Sequence, residues 1–157
     1  MEHLEIERKF LVKSDEYKFE SDSQERIVQG FLNTHPDRTV RVRIKGNKAF
    51  MTVKGKSNQA GTTRFEWETE ISVSEATNLI DLCEEVILEK NRFRVLFGNH
   101  VFEVDEFLGE NKGLVVAEVE LQHEDEPFDK PKWLGKEVTG DVKYYNSQLS
   151  KKPFKDW

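Results

Sequence analysis

Glu5-Ile6-Glu7-Arg8-Lys9-Phe10 carries its charges at every second position. In a β-strand, side chains at i, i+2 and i+4 share a face, so Glu5, Glu7 and Lys9 stand together while Ile6 and Phe10 point the other way. Leu11 and Val12 follow, and the spacing favours a strand over a helix. Two carboxylates and an ammonium on one short strand are the groups that bind hard cations and phosphates.

The same alternation recurs along the chain. Residues 26–33, 38–45, 49–54, 63–72, 86–97, 100–107 and 113–123 read as strands, separated by turn residues such as Pro36-Asp37, Gly46-Asn47 and Gly98-Asn99. With the opening run they make eight. Residues 74–84 instead place Ala76, Leu79, Ile80 and Cys83 at helical spacing, and Ser72 with Glu75 three residues on forms a capping-box pattern. Residues 143–149 also break the alternation, and 15–23 read as a loop or a short helix.

At 157 residues the chain fits a single domain, 1–157, with enough length to bury a core unaided by disulfides or structural metal. The 24 Lys and Arg against 30 Asp and Glu give a net charge of −6, which argues against a general nucleic-acid or anionic-membrane binder. Any basic site must be local. Cys83 is the single cysteine, so neither a disulfide framework nor a cysteine-rich zinc site forms. No apolar leader and no run approaching roughly 18 apolar residues is present, and the expectation is a soluble, cytoplasmic protein.

Eight short, mostly sequential strands suggest an antiparallel up-and-down meander, and closing it into a barrel removes exposed edges. One face of almost every strand is charged: Glu5/Glu7/Lys9, Arg41/Arg43/Lys45, Lys48/Lys54, Arg64/Glu66/Glu68, Lys90/Arg92/Arg94, Glu103/Asp105 and Glu118/Glu120. The other carries Val40/Val42/Ile44, Phe65/Trp67, Phe102/Val104 and Val115/Ala117/Val119/Leu121. Two arrangements fit. Either the charged face of an open sheet looks into water, or the sheet rolls into a tunnel with its charges inside and helices on part of its apolar exterior. The sorting of sign favours the tunnel. Like charges two residues apart sit about 7 Å from each other and repel by about 0.6 kcal/mol in bulk water, or about 2.4 kcal/mol at an effective dielectric of 20. Acids nonetheless pair at 5/7, 66/68, 103/105 and 118/120, and bases at 41/43 and 90/92. Such sorting makes sense if divalent cations neutralise the acids and a polyanion the bases.

In this order the motifs resemble the CYTH domain family, the triphosphate tunnel metalloenzymes. Glu5, Glu7 and Lys9 match its ExExK signature. Arg41-Val42-Arg43 is similar to its basic pair, Thr52-Val53-Lys54 to its single-lysine strand, and Arg64-Phe65-Glu66-Trp67-Glu68 to its RxExE strand. Glu89-Lys90-Asn91-Arg92, Phe102-Glu103-Val104-Asp105 and Ala117-Glu118-Val119-Glu120 resemble its EKxR, acidic and VExE strands, and Trp133 to Thr139 with Tyr144-Tyr145-Asn146 its C-terminal segment. The resemblance implies a mainly β fold: an eight-stranded antiparallel closed β-barrel, a tunnel with a charged interior and flanking helices. It also implies Mg²⁺- or Mn²⁺-dependent chemistry on triphosphates.

A triphosphate carries about four negative charges near neutral pH, which Arg forks meet bidentately and Lys meets as point charge. Lys9, Arg41, Arg43, Lys54, Arg64, Lys90 and Arg92 are the expected substrate cradle. Glu5, Glu7, Asp105, Glu118 and Glu120 are the expected metal ligands, with Glu66 and Glu68 as further ligands or water-holders. Lys9, Lys90 and Glu68 are the expected catalytic groups for in-line attack of water on a terminal phosphorus. Gln29-Gly30-Phe31 departs from the pattern, since some hydrolase members carry tyrosine where Phe31 stands, which removes a hydroxyl from the surroundings of Lys9. The segment 143–149 either plugs one tunnel mouth, with Lys143 near the phosphates, or is a surface helix.

The expected activity is hydrolysis of inorganic triphosphate to pyrophosphate and phosphate. A class IV adenylate cyclase, a thiamine triphosphatase and a non-catalytic phospho-ligand module remain the alternatives. The expected partner is a small triphosphate, with no nucleic acid and no membrane. A homodimer is a further expectation, because homodimers occur among the proteins resembled.

Overall fold

A computed structural model describes residues 3–157, residue 85 by its backbone alone. Nine strands form one antiparallel sheet: β1 (Leu4–Val12), β2 (Ser23–Asn33), β3 (Arg38–Lys45), β4 (Lys48–Gly55), β5 (Thr63–Ile71), β6 (Glu84–Phe97), β7 (His100–Phe107), β8 (Val115–Glu120) and β9 (Leu134–Glu137). The order is β5-β4-β3-β2-β6-β7-β8-β1-β9, and β5 pairs back onto β1 to close an eight-stranded barrel with β9 outside it.

The closure is as expected, but the order is not a meander. β2 lies between β3 and β6, far from β1, which is inserted between β8 and β5. Residues 13–22, including α1 (Tyr17–Glu20), carry the chain from β1 across to β2, and Tyr17 packs edge-on against Phe93 and Trp133. The ninth strand was not anticipated. Its four residues hold to β1 through Phe10 and Val12, a pairing made by long-range contact rather than local pattern.

α2 (Val73–Ile80) starts where its capping box predicts. The Glu75 N–H donates to Ser72 Oγ at 3.0 Å and the Ser72 N–H to Glu75 Oε1 at 3.1 Å. It stops short of the expected residue 84, because the N–H groups of Leu82 and Cys83 close onto Leu79 and Ile80 and turn the chain into β6. Its Ala76 lies with Val42, Ala49, Leu79 and Ile80 on the barrel's outer surface.

Because charge fills the interior, the largest core lies outside the barrel. Phe10, Phe102, Val104, Ala117 and Val119 from the outer face meet Tyr17, Trp133 and Leu134 from the segments wrapped over it. Burying a side chain of this size stabilises by about 1.5–3 kcal/mol. The inner face itself changes character along its length. Phe31 stands opposite Arg41 and Phe107 opposite Lys90, on the same face as the charges, yet both are buried with Leu88, Leu114 and Val116. Val138, Tyr144 and Leu149 of the C-terminal segment complete this apolar end, so α3 (Asn146–Leu149) stops one mouth. The tunnel is a cup.

Candidate active site

The cup holds a cavity of about 210 Å³ whose wall is almost wholly ionic. β1 contributes Glu5, Glu7 and Lys9; β3 contributes Arg41 and Arg43; β4 contributes Lys54; β5 contributes Arg64, Glu66 and Glu68. Lys90 and Arg92 come from β6, Glu103 from β7, and Glu118 and Glu120 from β8. All seven expected cradle residues therefore share one cavity with four of the five expected metal ligands. Asp105 is the exception. It lies behind the wall, 3% exposed, where its carboxylate accepts two hydrogen bonds from Arg92 (2.8 and 2.9 Å) and one from Lys90 (2.8 Å).

That ion triad sets the charges of β6. Burial opposes ionisation of Asp105, but Arg92 and Lys90 outweigh it and hold the carboxyl far below its ordinary range. Arg92 is pushed up despite its burial, chiefly by Asp105. Lys90 is pulled down to about 8, because burial outweighs the attraction of Asp105.

Two strands along, on β3, further bases crowd the same wall. Arg43 is lowered to about 10 by burial and then by the like charges of Arg41 and Arg92. The Nε atoms of Arg41 and Arg43 are buried without a hydrogen-bond partner among the described residues. Glu68 touches their outer tips, 3.5 Å from Arg41 and 3.8 Å from Arg43, and accepts from Thr52 Oγ1 at 2.6 Å. An unpartnered buried donor costs about 1–3 kcal/mol, so this wall carries unsatisfied donors as well as crowded like charge.

The acids form two carboxyl–carboxylate pairs. Burial opposes ionisation of Glu5, but Lys54, bonded at 2.9 and 3.1 Å, and a hydrogen bond from Glu66 bring it down to about 2. Glu66 is correspondingly raised to about 7, by burial and then by Glu5. Glu7 is raised well above the carboxyl range by burial and then by Glu118 and Glu5. Glu118 is lowered against its burial by Lys9 and Arg92 and by a hydrogen bond from Glu7. Glu120 is raised by burial and by Glu5 and Glu103. Among the described residues no three acids, histidines or cysteines converge as a ready-made cation site. Burial and the crowding of like charge together raise Glu7, Glu66 and Glu120 on this acid wall.

Uncharged residues to which the sequence reading gave no site role complete the cup. Asn146 Oδ1 accepts from Lys90 Nζ and from Gln29 Nε2, each at 3.0 Å, while Gln29 Oε1 is buried without a partner among the described residues. The Tyr145 ring lies beside Lys9 and Arg64. Gln29 shared the inward parity of Phe31 and was legible on that ground; Tyr145 and Asn146 sit at the cap and first residue of the four-residue α3, too short for a period to mark them. Of the two placements open for 143–149, the segment stops one mouth, but Lys143 is not near the cavity: its ammonium sits 4.4 Å from the Trp157 ring and 5.3 Å from that of Tyr144.

A model of the CYTH domain matches residues 3–151. The chain is 47% identical over 154 residues to an inorganic triphosphatase of Acetivibrio thermocellus, covering 98% of this chain and 97% of that one. It is 37% identical over 153 residues to an inorganic triphosphatase of Nitrosomonas europaea, covering 93% and 96%. A crystal structure of an inorganic triphosphatase superposes with a TM-score of 0.64 at 33% identity, covering 92% and 96%.

Proposed function

The chain belongs to the CYTH domain family, and on that premise we propose that it is a metal-dependent hydrolase that cleaves inorganic triphosphate to pyrophosphate and phosphate. The observation that carries this reading is the wall of Arg41, Arg43, Lys90 and Arg92, like charges held together with buried guanidinium donors unpartnered, facing surplus carboxyls across a closed-ended cup. A non-catalytic anion binder gains nothing from that acid wall. Phe31 is the one aromatic ring lining the main cavity among the described residues, which favours an inorganic chain over a nucleotide whose base needs a stacking surface.

In this reading Arg41 and Arg43, which line the cavity, bind terminal phosphate oxygens through their Nη groups. Lys90 has two of its three N–H groups taken by Asp105 and Asn146 and offers the third. Asp105 acts as counter-ion to Lys90 and Arg92. Lys9, Lys54 and Arg64 hold the rest of the anion. Glu5, Glu7, Glu118 and Glu120 would hold Mg²⁺ or Mn²⁺, whose charge would stand in for the protons that Glu5 shares with Glu66 and Glu118 with Glu7. The ion, when bound, supplies Lewis-acid charge to the phosphate oxygens. Water attacks in line, and Glu68, which already faces Arg41 and Arg43, accepts its proton. Most of the rate comes from positioning and fixed charge, as befits a loose phosphoryl-transfer transition state.

The test is incubation with inorganic triphosphate, ATP and thiamine triphosphate, each with Mg²⁺ or Mn²⁺, followed by assay of phosphate, pyrophosphate and cyclic AMP. Pyrophosphate with phosphate from inorganic triphosphate is expected, and its loss in folded Glu5→Gln and Arg41→Ala variants. Cyclic AMP from ATP, or metal-dependent binding without any product, would overturn the assignment.

A further inference from the structure

The barrel is thinnest at its closure. β1 and β5 match over three residue pairs, Leu4 with Phe65, Glu5 with Arg64 and Ile6 with Thr63. Beyond Glu7, whose N–H reaches the Thr62 carbonyl at 3.0 Å, β1 turns to the C-terminal segment: the Lys9 N–H donates to Thr139 Oγ1 at 2.9 Å, and the Val138 N–H to the Lys9 carbonyl at 2.8 Å. The gap left under the seam is a small side chamber reached by Glu5, Glu7, Lys9, Arg64 and Tyr145.

Tyr145 lies against the two cations of that chamber. Its ring centroid is 5.2 Å from Lys9 Nζ and 5.6 Å from Arg64 Cζ. Its placement is braced by two glycines in the left-handed region, Gly61 (φ 78°) and Gly140 (φ 80°), which touch backbone to backbone. A Cβ on Gly61 would stand 2.3 Å from Gly140 Cα and 3.4 Å from the Tyr145 hydroxyl oxygen, so turn and tail interlock only without side chains there. The hydroxyl itself makes no hydrogen bond among the described residues, and the ring is what meets the cations.

We propose that Tyr145 is a positioning residue of the triphosphate site: its aromatic ring holds Lys9 and Arg64, one from each strand of the seam, aimed together at one end of the bound anion. The inference rests on the triphosphate reading given above. A ring within about 6 Å attracts a cation through its quadrupole, and here it meets two whose like charges drive them apart. Without it, Lys9 retains Glu118 at 3.7 Å as its nearest charged partner and Arg64 retains Glu5 at 3.8 Å, so both turn toward acids and away from the substrate.

The experiment compares Tyr145→Phe, Tyr145→Leu and Tyr145→Met in the metal-loaded enzyme, with inorganic triphosphate kinetics and with calorimetric binding of triphosphate in chelator. Leu and Met are expected to raise KM and weaken binding about tenfold, about 1.4 kcal/mol, with kcat changed much less. Phe, which keeps the ring, is expected to rescue both. Should Leu unfold the tail, Met fills the same space without a quadrupole and decides the matter. Wild-type affinity in both Leu and Met, or a Phe variant as impaired as they are, would overturn the proposal. A wild-type enzyme that binds triphosphate without cleaving it would instead sink the hydrolase reading, and the calorimetric series would still test the ring.

Discussion

Asp105→Asn removes the charge on which two buried cations depend. Lys90 is 2% exposed and Arg92 10%, and Asp105 takes three hydrogen bonds from them. Breaking a buried pair costs about 3–5 kcal/mol, because the remaining charge is left in low dielectric. For a chain of this length each kcal/mol lowers Tm by about 2–4 °C, so the chelated variant should melt about 6–20 °C below wild type. The cavity would also carry one more unit of uncompensated positive charge. Triphosphate should therefore raise the Tm of Asp105→Asn more than that of wild type, which gains about 2.7 kcal/mol at a hundredfold excess over Kd. Circular dichroism melts with chelator, with and without triphosphate, measure both quantities. A variant melting within about 2 °C of wild type, or one that triphosphate stabilises less, would refute the counter-ion assignment.

Arg43→Met should go the other way in the free protein, since it removes a buried, crowded guanidinium whose Nε is unpartnered; chemical denaturation should show a gain of about 1–3 kcal/mol alongside loss of triphosphate turnover. Metal affinity, titrated by calorimetry, should fall as pH drops through about 7, because Glu66 is raised to that value and its proton competes with the ion. The same raised pKa means that the folded metal-free protein binds more protons than the unfolded chain between about 4.5 and 7, so this group's contribution to stability is present below that window and lost as pH rises through it. Triphosphate affinity should weaken as pH rises through about 8, where Lys90 loses its charge. Ser72→Ala should cost about 1 kcal/mol by removing the α2 cap, seen as a Tm lower by about 2–4 °C with unchanged KM.

The charged face was legible residue by residue. Strand side chains alternate with a period of two, so the residues shared by one face of β1, β3, β5, β6 and β8 follow from spacing alone once each is read as a strand. The α2 start followed in the same way from Ser72 and Glu75, since a cap is a local hydrogen bond. Local pattern also misled. It placed Asp105 with the cavity acids, because parity does not reveal that Lys90 and Arg92 close over it. Pattern left 143–149 open between a plug with Lys143 near the phosphates and a surface helix, and it is Tyr145 and Asn146 that reach the cations.

From the amino-acid order alone came which side chains share a face and the segregation of acids from bases along it, both consequences of backbone geometry within a few residues. Strand order, the insertion of β1 between β8 and β5, the apolar stopper at one mouth and the choice of partner for each charge of the cavity were decided in three dimensions. Those features rest on contacts between segments far apart in the chain, whose energies depend on distance and burial and leave no period in the sequence.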